Sequence, residues 1–133
     1  MAATIPFTST ATLTYPPDDG VAAAARSNSV SGTYQHEAGG KFVLTGAGTQ
    51  VVDFGSIVAV GAKAIFIEVE PVAAGGVAAP VNIQFNGVGA TGNIEIAQGG
   101  HIDMANPIPS AAGILSLSIV HTQDACVTVR ILG

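Results

Sequence analysis

The 133-residue chain is 48% hydrophobic and only 10% charged, with a formal charge of −5, which suits one domain with a substantial core and excludes a disordered polar chain. Its four basic residues, Arg26, Lys41, Lys63 and Arg130, are too few and too scattered to bind nucleic acid or an anionic membrane surface. Against the roughly 25% charge of an ordinary domain, so weakly charged a surface is poorly defended against association, and a homo-oligomer or a larger lattice is expected.

The opening Met1-Ala2-Ala3-Thr4-Ile5-Pro6 has neither the basic start nor the apolar core of a signal peptide, so none is expected. From Thr4 to Tyr15 the even positions are hydroxylated apart from Pro6, and the odd positions carry Ile5, Phe7, Leu13 and Tyr15. Period two of this kind predicts a strand with one apolar and one hydroxyl face. Pro6 cannot donate to a ladder, which makes the segment an edge strand or an extended arm. Its apolar face needs covering, so Ile5, Phe7, Leu13 and Tyr15 are the candidate lattice-contact residues of that arm. Pro16-Pro17-Asp18-Asp19-Gly20 then forces a turn, and residues 1–20 are read as arm and turn, with 21–133 a single β-sandwich domain.

Val21 to Ala25 is the only helix-friendly run and is too short to stand alone; Ser27 to Gly32 reads as a polar loop. Thr33 to Glu37, Lys41 to Thr45 and Gln50 to Phe54 are short strands split by glycines. Lys63 to Glu70 alternates Ile65, Ile67 and Val69 against Glu68 and Glu70, and Val81 to Asn86 alternates in the same way. Asn93 to Ala97, His101 to Ala105, Ile114 to His121 and Cys126 to Leu132 complete the series. Many short strands at turn-punctuated spacing predict an all-β antiparallel sandwich. Its core is expected to hold Ile65, Ile67, Val69, Ile83, Phe85, Ile94, Ile96, Leu117, Ile119, Val127, Val129 and Ile131. The uncharged stretch from Pro71 to Ile94 is no membrane span, because prolines, amides and glycines interrupt it.

The motifs with a chemical spelling lack their contexts. Gly87-Val88-Gly89-Ala90-Thr91-Gly92 matches a dinucleotide loop, yet a strand-like run follows where the phosphate site needs a helix. Asp53-Phe54-Gly55 spells a kinase tripeptide without the other kinase parts. The single Cys126 has no disulfide partner and reads as a quiet structural thiol. His36, His101 and His121 lie on separate segments without zinc spacing. Neither catalysis, a cofactor nor a metal is expected. The one site-like geometry is acidic: if Gln98-Gly99-Gly100 closes a hairpin, Glu95 lies opposite Asp103, a pair suited to solvent, a cation or a partner's arginine. If the two strands enter different sheets, the pair does not form.

The run Ala64-Ile65-Phe66-Ile67-Glu68-Val69, then Val81-Asn82-Ile83-Gln84-Phe85-Asn86-Gly87, Ile94-Glu95-Ile96-Ala97-Gln98-Gly99-Gly100, Leu115-Ser116-Leu117-Ser118-Ile119 and Val127-Thr128-Val129-Arg130-Ile131 resembles the small all-β virion proteins of tailed bacteriophages, over residues 63–133. Capsid decoration, or cement, proteins of this kind are jelly rolls that sit outside the shell, join adjacent capsid subunits and often form trimers or dimers. The resemblance implies a jelly roll on the capsid exterior, bound to the major capsid protein, with a trimer favoured over a dimer. It transfers no individual residues, because the family binds through surface patches that vary. The alternative is a tail-fibre, baseplate or adhesin-like module that binds a host surface glycan around Tyr34, Glu95 and Asp103.

Overall fold

The computed structural model describes residues 3–16, 24–87, 93–108 and 113–133. They form ten strands and one short 3₁₀ turn: β1 (Ile5–Tyr15), β2 (Ala24–Tyr34), β3 (Glu37–Leu44), β4 (Gly48–Val52), the turn Gly55–Ala59, β5 (Ala64–Val69), β6 (Val81–Phe85), β7 (Asn93–Ile96), β8 (His101–Ala105), β9 (Leu117–His121) and β10 (Ala125–Leu132). β1 and β2 make a ribbon of their own, and the rest form two four-stranded sheets ordered β3-β10-β5-β8 and β4-β9-β6-β7. This is the all-β sandwich that the alternation predicts.

The pairing is nested. The hairpin β6–β7 is its centre, and around it β5 pairs with β8, β4 with β9 and β3 with β10, always antiparallel. The chain from β3 to β10 thus doubles back on itself as one long ribbon. Pairing of β5 with β10 and of β6 with β9 rolls that ribbon into two layers. As a result β7 and β8, separated only by Ala97–Gly100, belong to different sheets.

Between the layers Ile65, Ile67, Val69, Ile83, Ile96, Leu117, Ile119, Val127, Val129 and Ile131 are buried as the periodicity requires. Leu44, Val52, Phe54, Ile57 and Val81 join them, and Phe85 packs half-buried against the cluster. Each fully buried aliphatic of this size contributes about 1.5–3 kcal/mol. Ile94 is a correction. It shares the inward parity of Ile96, but β7 is an edge strand with one neighbour, and the side chain stays 42% exposed.

Three local expectations also change. The polar run Ser27–Gly32 lies within strand β2, because pairing to β1 overrides its weak β propensity. β2 pairs with β1 alone; residues 20 and 21, where the boundary between arm and sandwich is expected, lie outside the described residues. β3 runs straight through Gly39-Gly40: Gly39 has φ 105°, and a Cβ there would stand 2.2 Å from the Val129 carbonyl oxygen, so only glycine admits the neighbouring backbone. Asp53-Phe54-Gly55 begins the 3₁₀ turn. The Asp53 carboxylate accepts from the Gly55 N–H at 2.9 Å, and Phe54 and Ile57 are buried. Of the glycine-rich dinucleotide spelling, residues 88–92 lie outside the described residues, and the element that follows is strand β7.

Candidate functional site

The feature that sets this sandwich apart is the β1–β2 ribbon. Its two 11-residue strands pair over their full length, from Ile5 opposite Tyr34 to Tyr15 opposite Ala24. At 3.4 Å per residue that is about 37 Å of hairpin. Residues directly opposite share a face, so Thr8, Thr10 and Thr12 meet Ser31, Ser29 and Ser27. Their hydroxyls hydrogen-bond across the strands at 3.3, 2.9 and 3.1 Å. Such cross-strand pairs each contribute a fraction of a kcal/mol. An isolated two-stranded ribbon is marginal in water, and this one is anchored at its base.

The anchoring is specific. The Ser9 hydroxyl donates to Asp103 Oδ1 at 2.9 Å, and Lys63 Nζ donates to the Thr33 carbonyl at 2.8 Å. Phe7 and Tyr34 meet edge to face with centroids 6.3 Å apart. A Cβ on Gly32 would approach both Phe7 and Pro107 at 3.0 Å, so the absence of a side chain lets the ribbon close on the β8 end. Where the ribbon joins β3, the N–H groups of Gln35 and His36 both donate to the Gly133 carbonyl, at 2.9 and 2.7 Å.

Burial fades along the ribbon. On its sandwich-facing side Phe7 and Ser9 are half-buried, whereas Ala11, Leu13 and Tyr15 are exposed. Of the four anchors expected from the sequence, Phe7 is therefore engaged within its own chain. Ile5, Leu13 and Tyr15, on the same face, remain exposed at 46%, 65% and 36%. The ribbon's base lies over the outer face of the β3-β10-β5-β8 sheet, above Ala64, Phe66 and Leu132. Its distal part diverges over Phe66, His101 and Asp103, leaving a wedge of about 440 Å³ into which Arg26 and Asn28 also look.

The acidic pair does not form. Glu95 on β7 stands opposite Asn82, and Asp103 on β8 stands opposite Phe66, in different sheets. Rolling the ribbon at Ala97–Gly100 separates them, and Asp103 holds Ser9 instead. Tyr34, the third residue of the supposed glycan pocket, packs on Phe7 at the ribbon's base.

The remaining titratable groups are structural in their contacts. Lys41 donates to Glu70 at 2.9 Å, which raises the lysine and lowers the glutamate from their ordinary ranges. Both are largely exposed. Burial, with Glu70 beside it, pushes the Cys126 thiol up, away from the thiolate a nucleophile needs. The buried His121 donates from Nδ1 to the Gly46 carbonyl at 2.6 Å, and His101 stacks on Phe66. Among the described residues no three His, Cys, Asp or Glu side chains converge to hold a metal, and no helix is long and apolar enough to cross a membrane.

Sequence reasoning missed Ser9, Arg26 and the serines of β2. The signal was present: Ser27, Ser29, Ser31 and Thr33 alternate as the threonines of β1 do. Compared with protein-family models, curated proteins and solved structures, the chain matches none.

Proposed function

We propose that this protein is a structural virion component, a cement protein that binds the outer surface of a phage capsid and stabilises contacts between major capsid subunits. The single observation that carries the reading is the β1–β2 ribbon, docked at its base and bare along its distal apolar side. A hairpin of that length adds nothing to the core of its own sandwich, and its free strand edges are templates for another chain. Two further features support it. The nested strand order supports a jelly-roll reading, an architecture of viral capsid domains as well as lectins and cupins. The low charge suits a surface covered by neighbours. In this reading the protein works as a homo-oligomer, a trimer before a dimer, by buried area and without chemistry.

The test is reconstitution. Capsids stripped of the protein regain it from solution in a saturable ratio to the major capsid protein, and the decorated shells resist heat better. Failure to rebind refutes the reading. A glycan-binding module is the second reading, favoured by the wedge beneath the ribbon, where Phe66 offers an apolar face beside Asp103, Asn28 and Arg26. It predicts saturable binding to host surface polysaccharide that Phe66→Ala abolishes.

A further inference from the structure

The outer face of the β3-β10-β5-β8 sheet reads as four rows. Glu37, Leu132, Ala64 and Ala105 form the first; Gly39, Arg130, Phe66 and Asp103 the second; Lys41, Thr128, Glu68 and His101 the third; Val43, Cys126 and Glu70, which pairs with Lys41, the fourth. The ribbon's base covers parts of the first two rows. Beyond His101, which lies beneath the ribbon's distal part, the last two face none of the ribbon's residues across the space at its base or the wedge. Val43 there is 78% exposed, and Glu68 is exposed with no ion pair among the described residues.

The distal half of the ribbon carries the complementary features. Leu13 is 65% exposed on the sandwich-facing side, and Arg26 stands directly opposite it in the register. Arg26 is the only charged residue between Thr10 and Tyr15 or between Ala24 and Tyr34, and it too makes no ion pair among the described residues. We propose that this distal half lies on the last two rows of a second copy of the chain, with Leu13 on Val43 and Arg26 against Glu68.

The dimensions agree. Val43 and Glu68 are two strands and one row apart, about 12 Å from the inter-strand and along-strand spacings. Leu13 and Arg26 have Cβ atoms about 5 Å apart, and the extended arginine side chain spans the remainder. A second copy is the occupant because the chain itself supplies both halves of the contact: an uncovered aliphatic next to a cation, and an uncovered aliphatic about 12 Å from a carboxylate, neither charge ion-paired among the described residues. Like-charge repulsion elsewhere is weak in so sparsely charged a surface. Passed from copy to copy, the contact closes a ring, as a head-to-tail interface does when its rotation allows.

The inference rests on the assembling protein proposed above, and its test is made on the full-length protein in solution, without capsids. Sedimentation equilibrium measures self-association of the wild type, Arg26→Glu, Glu68→Arg and the double reversal R26E/E68R. Arg26, Glu68 and Leu13 are all exposed side chains, and thermal unfolding verifies that each variant is folded. Each single reversal is expected to weaken association at least tenfold, and the double reversal to return it to within about threefold of the wild type. Leu13→Asp weakens it without rescue. A monomeric wild type, including one in which Arg26 closes on Glu68 of its own chain, overturns the proposal. So does an oligomer that the single reversals leave unchanged, or one that the double reversal fails to restore; those two results leave capsid binding standing. Loss of capsid rebinding by a protein that still self-associates through Arg26 and Glu68 sinks only the cement reading.

Discussion

Ile67 and Ile94 carry the same side chain on strands of the same sandwich, and strand alternation assigns both to the core. The structure separates them: Ile67 is 0% exposed and Ile94 is 42% exposed. Substitution of either by alanine removes three carbons. At about 0.8 kcal/mol per buried carbon, Ile67→Ala forfeits about 2.4 kcal/mol of transfer free energy. It also leaves a cavity between two sheets that cannot collapse onto it, which brings the cost to about 3–4 kcal/mol. For Ile94→Ala only the buried part counts, about 1.4 kcal/mol, and water fills the space at the sheet edge, so no cavity term applies. Urea unfolding of the two variants beside the wild type measures both losses directly, with unchanged slopes showing that only stability differs. A gap of about 2 kcal/mol is expected. Equal losses would refute the reasoning, because they would mean that Ile94 is covered and the edge assignment of β7 is wrong.

Other positions give sharper local tests. Gly39→Ala sets a Cβ 2.2 Å from the Val129 carbonyl oxygen at φ 105°. It is expected to cost more than about 3 kcal/mol, whereas Gly40→Ala, which meets nothing within 4 Å, is tolerated in the same denaturation assay. Asn86 adopts φ 57°, accepts from the Leu115 and Ser116 N–H groups and donates to the Gly113 carbonyl. Asn86→Ala is expected to lose about 2–3 kcal/mol, and Asn86→Gly less, because glycine keeps the backbone conformation. For the Lys41–Glu70 pair the lowered glutamate gives stability that is present above its ordinary value of 4.5 and fades as pH falls below it. The raised lysine gives stability that is present below 10.5 and fades as pH rises beyond it. The stability difference between wild type and Lys41→Gln is therefore expected to hold between those two pH values, to shrink outside them, and to shrink in about 1 M salt. A difference unchanged well below pH 4.5 would show that the ion pair is not its source.

The sandwich was legible because burial writes itself into period two. Ile65, Ile67 and Val69, or Val127, Val129 and Ile131, alternate with residues that tolerate water, and all six are buried. Alternation says which face a residue takes, but not which strand stands beside it or how far the opposite layer reaches. That is why alternation alone turns Ile94 inward, and why it leaves open whether Glu95 faces Asp103 or, as the fold has it, the connection between them passes between sheets. β2 escaped notice because serine has little strand propensity, and its conformation is dictated by Thr8, Thr10 and Thr12 across the ribbon. Propensity is local, and pairing is not. The same limit applies to the candidate site. Pro6 and the apolar odd positions marked β1 as an edge needing cover, but only the folded chain divides that face into a half seated on Ser9 and Asp103 and a half left bare.

The measurement that tests the central claim most directly is an electron cryomicroscopy difference map, at a resolution that separates subunits, between virions carrying this protein and virions stripped of it. The account predicts density for the sandwich on the outer surface of the head, at junctions between capsid subunits, with the β1–β2 ribbon reaching across to a neighbouring molecule. Density confined to the tail or to a receptor-binding tip, with the head surface unchanged, would contradict it.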